Sequence, residues 1–180
     1  MLKIKIPSME LWDEGKEEFI YTKEQVLQME HSLVSISKWE QKYHKPFLSS
    51  DKTIDEIIDY IRFMTITQNV NDLVFQNFPK KSLEEILKYI EDPMTATTFN
   101  ENQKKPPNSR EIITSELVYY WMVAYQIPFE CQKWHINRLL TLIRICDIKN
   151  APPKKMSKSD IMSRNKALNA ARKAKYNTHG

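Results

Sequence analysis

Glycine is almost absent from this chain of 180 residues, in which Gly15 and Gly180 are the only two. Glycine normally supplies the positive-φ backbone of tight turns and the close backbone approach of phosphate-binding loops. The P-loop and the GxGxxG nucleotide fingerprint each need several glycines within a few residues, so both motifs are excluded. Long periodic apolar stretches in a glycine-poor chain predict a mainly α fold, a multi-helix bundle with a small N-terminal β-hairpin and a C-terminal basic helix.

The last third of the sequence changes character at about residue 149. Residues 112–148 are apolar and aromatic, whereas residues 149–180 are polar and basic. From residue 151 onward there are eight lysines and arginines, and Asp160 is the only acidic residue. We therefore predict a helical domain over residues 1–150 and a basic helical arm over residues 151–180. A basic arm on a mildly acidic body suits contact with nucleic acid or an acidic protein, and a solvated tail is the simpler alternative.

The N-terminus carries a strand signature. Apolar residues alternate with lysines over residues 2–6, and Pro7 ends the run. Glu18–Thr22 is predicted to be the antiparallel partner, across a turn that contains Gly15. Because a lone hairpin is marginal in water, we expect it to pack on helices or to pair with another chain.

Capping residues and prolines place the boundaries of the predicted helices. Thr22 with Gln25 predicts the start of the first helix, Thr53 with Glu56 the second, and Ser109 a later one. The predicted helices run over residues 22–44, 53–64, a short stretch from about 71, 82–92, 109–126, 129–148 and 157–173. Residues 94–109 contain paired prolines and no periodicity, and are predicted to form an exposed loop.

No arrangement of side chains in the sequence indicates catalysis. Cys131 and His135 are four residues apart and could share a helix face, but two such side chains are weak evidence for a metal site or a nucleophile–base pair. Cys131 and Cys146, predicted on one helix and so about 22 Å apart, are too distant for a disulfide. We predict a non-enzymatic protein with no catalytic residue, cofactor or metal ligand.

Candidate binding residues fall into an aromatic set and a basic set. The aromatic band across the corner between the last two body helices includes Trp121 and Trp134, which we predict to be core, and other aromatics that could line a groove for a partner helix. The basic residues of the arm could contact phosphates or acidic side chains. The predicted partner-binding residues are Tyr119, Tyr120, Tyr125, Phe129, Lys154, Lys155, Lys158, Arg164, Lys166, Arg172 and Lys173.

Two further features bear on environment and surface. No window approaches about 18 uninterrupted apolar residues, so no transmembrane helix is predicted, and two thiols suit a reducing cytoplasm. The acidic side chains between residues 51 and 59 are predicted to form a solvated helix surface.

Three segments resemble a family of tailed-bacteriophage proteins, the tail assembly chaperones, which are encoded between the major tail protein and the tape-measure protein. The segments are SLVSISKWEQKYHKPFL, DYIRFMTIT and IPFECQKWHINRLLTLIRICDIKNAPPKKMSKSDIMSRNKALNAARKA. The resemblance extends from about residue 32 to residue 180. It implies a non-enzymatic protein of the host cytoplasm that binds the long helical tape-measure protein, keeps it soluble and helps recruit the major tail protein around it. It brings no catalytic residues.

Two other functions remain open from the sequence. A structural protein of the virion, at the neck or baseplate, could lay the basic arm on a neighbouring subunit. A nucleic-acid-binding protein could use residues 154–175, although Tyr176 is the only aromatic residue available there for base stacking. Self-association of the chain is also left open.

Overall fold

The computed structural model describes residues 1–99, 111–151 and 158–177, and helices dominate these ranges. Contacts divide the chain into two compact units, Met1–Cys146 and Asp147–Gly180. The strands are β1 (Leu2–Ile6), β2 (Met9–Asp13), β3 (Glu18–Thr22) and β4 (Gln25–Met29). The helices are α1 (Leu33–Tyr43), α2 (Ile54–Met64), α3 (Asp72–Gln76), α4 (Lys80–Glu91), α5 (Ser115–Ala124), a 3-10 helix (Phe129–Lys133), α6 (Ile136–Asn150) and α7 (Lys158–Tyr176). The predicted helix-rich class with N-terminal strands is thus confirmed.

The four strands form two antiparallel ladders, β1 with β4 and β2 with β3. The two ladders share one register, so they are the inner and outer halves of one long hairpin that turns near Gly15. The predicted strands at residues 2–6 and 18–22 are both present, but the prediction that they pair directly is wrong. Pro7 has no N–H to donate, so the first ladder stops there and a new strand begins at Met9.

The predicted helix over residues 22–44 is also wrong in its first third. Residues 25–29 form β4, and α1 begins one residue after Ser32, whose side chain exchanges capping hydrogen bonds with Ser35. The apolar residues of this segment fit both the helical period of 3.6 residues and the strand period of two. Pairing with β1 decides in favour of the strand, because strand preference depends on the neighbouring strand. The predicted end of the helix is confirmed at His44, which takes a left-handed conformation with φ of 53°.

Residues 28–32, which we call the central seam, form backbone hydrogen bonds with two distant parts of the chain. On one side the Glu30 N–H donates to the Met64 carbonyl at 2.9 Å. On the other side the Ile136 N–H donates to the His31 carbonyl at 2.8 Å, and Ser32 forms a β-bridge with His135. The seam therefore joins the hairpin, α2 and the start of α6 within the first unit.

Helix α1 lies at the centre of the core and contacts α2, α5 and the 3-10 helix. Trp39 on this helix is fully buried, and its indole N–H donates to the Glu56 carbonyl at 2.9 Å. Glu40, the next residue, is buried as well. Its carboxylate accepts the Phe47 N–H at 2.8 Å and the Ser115 N–H at 2.7 Å, so one side chain of α1 holds the loop after α1 and the first residue of α5.

The other helix predictions are confirmed to different degrees. The Thr53–Glu56 capping box opens α2, and Asn71 caps α3, as predicted. Helix α4 starts two residues earlier than predicted. Helix α5 begins at Ser115 and is capped by Thr114, so the helix predicted from residue 109 is wrong for residues 111–114, which are not helical. Ser109 and Ser157, the predicted caps, lie outside the described residues, as does the predicted loop beyond residue 99; residues 94–99 contain neither helix nor strand.

The single helix predicted over residues 129–148 is two elements. A 3-10 helix ends at Lys133 and α6 begins at Ile136. Between these two elements, Trp134 is extended and His135 forms a β-bridge with Ser32, which an unbroken helix would not allow. Cys131 and Cys146 therefore lie on different elements, and both are free thiols.

Turns in this glycine-poor chain are made by other residues. In the described ranges, each position with positive φ, a conformation that favours glycine, is instead occupied by a residue with a Cβ: Glu17, His44, Asn69, Met94, Gln126 and Asn177. Of the helices in these ranges, none combines the length and apolar content needed to cross a bilayer.

Candidate partner-binding site

Helix α5 exposes large apolar side chains on the face opposite its buried side. Val118 and Met122 are buried in the core. Tyr120 and Val123, one helical turn apart, are 65% and 61% exposed. Single exposed apolar residues are ordinary on a protein surface, but adjacent large ones are typical of interaction sites.

The backbone after α5 brings Phe129 beside this helix. Gln126 takes a left-handed conformation with φ of 55°, and its N–H donates to the Val123 carbonyl at 3.1 Å. The Ile127 N–H donates to the Met122 carbonyl at 2.8 Å, which completes a Schellman motif. Ile127 is buried, and the chain then turns into the 3-10 helix, where Phe129 is 54% exposed.

A hydrogen bond and a ring contact hold this turn in place. The half-buried Tyr119 donates its hydroxyl proton to the Gln132 Oε1 at 2.9 Å, and its ring centroid lies 6.4 Å from that of Phe129. We call Tyr119, Tyr120, Val123 and Phe129 the corner surface. Because the corner surface is anchored on both elements, a partner would meet side chains that need little further ordering.

The predicted aromatic residues are placed as follows. Tyr120 and Phe129 are exposed, whereas Tyr119 and Tyr125 are half-buried. Trp121 and Trp134, predicted as core, are only partly buried and pack on its edge. Val123 was missed because a single valine among aromatics gives no binding signal in the sequence.

Five of the seven predicted basic residues of the arm lie on α7, in the second unit. Lys158, Arg164, Lys166, Arg172 and Lys173 are all exposed, and α7 has no buried residue. Lys154 and Lys155 lie outside the described residues. The helix therefore carries its positive charge on exposed side chains.

The one histidine that could pair with a cysteine has other partners. His135 Nε2 donates to the Tyr89 carbonyl at 2.9 Å, and its Nδ1 accepts the Asn137 N–H at 3.3 Å, which fixes a neutral tautomer. Its ring packs edge to face on His31, with centroids 4.9 Å apart. Both ring nitrogens are thus occupied by the protein, which argues against a Cys131–His135 pair.

The His31 ring is more deeply enclosed. Its Nδ1 is hydrogen-bonded to the buried Tyr60 hydroxyl. Burial, and next the neighbouring His135, lower the pKa of His31 from 6.5 to about 3, and burial also lowers the pKa of His135. In residues 1–99, 111–151 and 158–177, no three His, Cys, Asp or Glu side chains are grouped to hold a metal ion.

The acidic surface predicted for α2 is partly buried instead. Glu56 and Asp59 are both buried. Lys45 forms an ion pair with Glu56 at 2.7 Å, and Arg62 forms one with Asp59 at 2.8 Å. The Tyr43 hydroxyl donates to Asp59 at 2.5 Å. The prediction of a solvated face is wrong for these two residues because cations from neighbouring parts of the chain compensate their charge.

Comparison of the chain with protein-family models, with curated proteins and with solved structures gave no match.

Proposed function

We propose that this chain is a non-enzymatic tail assembly chaperone that binds the tape-measure protein of a tailed bacteriophage in the host cytoplasm. The observation that carries the proposal is the corner surface, where Tyr120, Val123 and Phe129 are each more than half exposed on an anchored turn. The resemblance of three segments to the tail assembly chaperones supports the choice of client.

An exposed apolar corner suits capture of an amphipathic helix, whose side chains would insert between Tyr120 and Phe129. The tape-measure protein expected from the resemblance is long and helical, so it would offer many such segments. Several copies bound along one client would add their affinities even if each contact were weak. The basic arm would add contacts to acidic stretches of the same client, and the major tail protein is a second expected partner.

Serine substitution at Tyr120 and Phe129 is expected to weaken binding of the tape-measure protein by roughly tenfold or more at each position, because buried aromatic anchors often contribute more than about 1.4 kcal/mol to binding. The measurement is a titration of a soluble tape-measure fragment with the purified chain. Leu87→Ser on α4 is the matched control, since Leu87 is similarly exposed but lies outside the corner surface. Equal binding by all variants would remove the corner surface from the proposal.

Pull-down of the tagged chain from infected cells, beside mass spectrometry of finished particles, tests the wider proposal. A chaperone is expected to capture tape-measure protein and to be absent from the particles. Stoichiometric presence in particles would instead identify a structural protein of the neck or baseplate.

The fully exposed basic face of α7 favours a second candidate, nucleic-acid binding. Phosphate contacts release counterions, so such binding would fall steeply as salt rises. Retention of DNA or RNA at physiological salt, lost on added salt, would support this second function over the chaperone.

A further inference from the structure

The outer half of the N-terminal hairpin presents aromatic side chains to solvent. Trp12, Phe19 and Tyr21 are 48%, 59% and 74% exposed, and all lie on the face opposite the buried Leu11. Glu10 completes this set, because it is paired across the ladder with Tyr21. We call Glu10, Trp12, Phe19 and Tyr21 the outer aromatic face. Such a set on the solvent side of a hairpin is unusual, and aromatic residues are enriched in the buried centres of interfaces.

The outer aromatic face is already ordered in the free chain. Trp12 and Phe19 are directly paired across the ladder and pack edge to face, with centroids 4.9 Å apart. The Tyr21 hydroxyl donates to the Glu10 Oε1 at 2.6 Å. A partner would therefore pay little entropy to order these side chains.

The hairpin around this face is acidic. Residues 10–24 contain six carboxylates and two lysines. Beside the turn lies a cleft of about 510 Å³ lined by Trp12, Asp13, Glu14 and Leu73, among others. Carboxylates next to an indole suit the cationic end and the apolar stem of a lysine or arginine.

Helix α7 has the complementary properties. It is exposed along its whole length, and residues 158–177 contain six basic side chains against one acidic residue. Met162, Lys166 and Lys173 line one shallow groove along it, so apolar and basic groups share a side of the helix. Ile161 and Leu168 add exposed apolar surface. An amphipathic helix that is exposed along its whole length is marginal in water, which favours its use as a docking element.

We propose that α7 of one copy packs on the outer aromatic face of a second copy, with its lysines beside the hairpin carboxylates. The docking element and its receptor are different surfaces, so the contact is head-to-tail and each copy can both give and receive an arm. Such contacts close into a ring or extend as a chain. The proposal rests on the hairpin and α7, and does not depend on the proposed client.

Sedimentation velocity of the purified full chain tests this interface. We expect the mean mass to rise with protein concentration and to fall on added salt, which screens the charge contribution. Phe19→Ser, which leaves every charge in place, is expected to weaken self-association about tenfold, since it removes an aromatic anchor. A chain that stays monomeric at all concentrations, or a Phe19→Ser variant that associates like the original, would overturn the proposal.

Charge exchange identifies the two surfaces. The hairpin variant Glu14→Lys/Glu18→Lys brings residues 10–24 from a net charge of −4 to zero, and the arm variant Lys166→Glu/Lys173→Glu brings residues 158–177 from +5 to +1. Each variant alone is expected to associate more weakly than the original chain, because the charge attraction is lost. An equal mixture is expected to regain pairing, because the unaltered arm of the hairpin variant then meets the unaltered hairpin of the arm variant. Unchanged thermal unfolding of both variants controls for folding. A mixture that associates no better than either variant alone, or a single variant that associates as strongly as the original chain, would contradict docking of α7 on the hairpin.

Discussion

Replacing Glu40 with alanine is expected to lower the free energy of unfolding by roughly 2–6 kcal/mol, because each of the two buried N–H groups left without an acceptor costs about 1–3 kcal/mol. The groups are those of Phe47 and Ser115. Ser115 is the first residue of α5, so the carboxylate also lies at the positive end of that helix dipole. A loss of this size is a large share of the stability of an ordinary domain.

Urea unfolding of three variants separates this role from a loss of charge. Glu40→Gln keeps one carbonyl acceptor and is expected to fall between the original chain and Glu40→Ala. Glu85→Ala, an exposed position on α4, is the matched control and is expected to change stability by less than about 0.5 kcal/mol. If Glu40→Ala unfolded at the same urea concentration as Glu85→Ala, the carboxylate would not be holding α5 in place.

Mild acid is expected to destabilise the first unit through its buried histidines. The pKa of His31 is lowered to about 3 in the folded chain, and that of His135 is lowered as well. Around the pair lie Tyr60, Tyr89 and Glu30, with the Tyr89 hydroxyl donating to Glu30. Burial raises the pKa of both tyrosines, so both stay protonated and neither balances an imidazolium with a negative charge.

The direction of the effect follows from which state binds more protons. An unfolded histidine takes up a proton as the pH falls below 6.5, whereas folded His31 stays neutral until about pH 3. The stability that neutral His31 contributes is therefore fully present above pH 6.5 and is lost below it. At about 1.4 kcal/mol per pH unit, His31 alone is expected to remove roughly 2 kcal/mol between about pH 7.5 and about pH 5.

The check is the urea midpoint at both pH values. His31→Gln is expected to flatten this dependence whatever it does to stability at neutral pH. His44→Asn is the control, because His44 is exposed and asparagine tolerates its left-handed backbone. Wild-type stability that does not change across this interval would show that the buried pair takes up protons without unfolding.

Local signals in the sequence predicted the elements whose boundaries are set locally. The Thr53–Glu56 capping box gave α2 its correct start, and alternation gave β1 its correct bounds. Residues 25–29 could not be assigned in the same way, because their apolar spacing fits a helix and a strand equally. Only pairing with β1 distinguishes the two, and the paired residues lie 19 to 27 positions away along the chain.

Buried charge was the main feature that the sequence concealed. A glutamate in a polar stretch of a helix, such as Glu40, reads as surface, and so did Glu56 and Asp59. Each also has a partner outside its own helix that no spacing rule encodes: the Ser115 N–H for Glu40, Lys45 for Glu56 and the Tyr43 hydroxyl for Asp59. In the candidate site, Tyr120 and Phe129 are exposed and had been named from the sequence, whereas Val123 had not. Val123 and, on the hairpin, the outer aromatic face could be recognised only from the fold, which shows which side of each element faces water.

The central seam has a consequence for synthesis on the ribosome. The carbonyl of His31 and the carboxylate of Glu40 lie in the first quarter of the chain, yet their partners at Ile136 and Ser115 are translated about a hundred residues and seventy-five residues later. A nascent chain that has not yet exposed residues 115–133 would hold α1 without α5 and the 3-10 helix, two of the elements that it contacts. We therefore expect the first unit to become protease-resistant in one late step of translation, when the beginning of α6 reaches the seam.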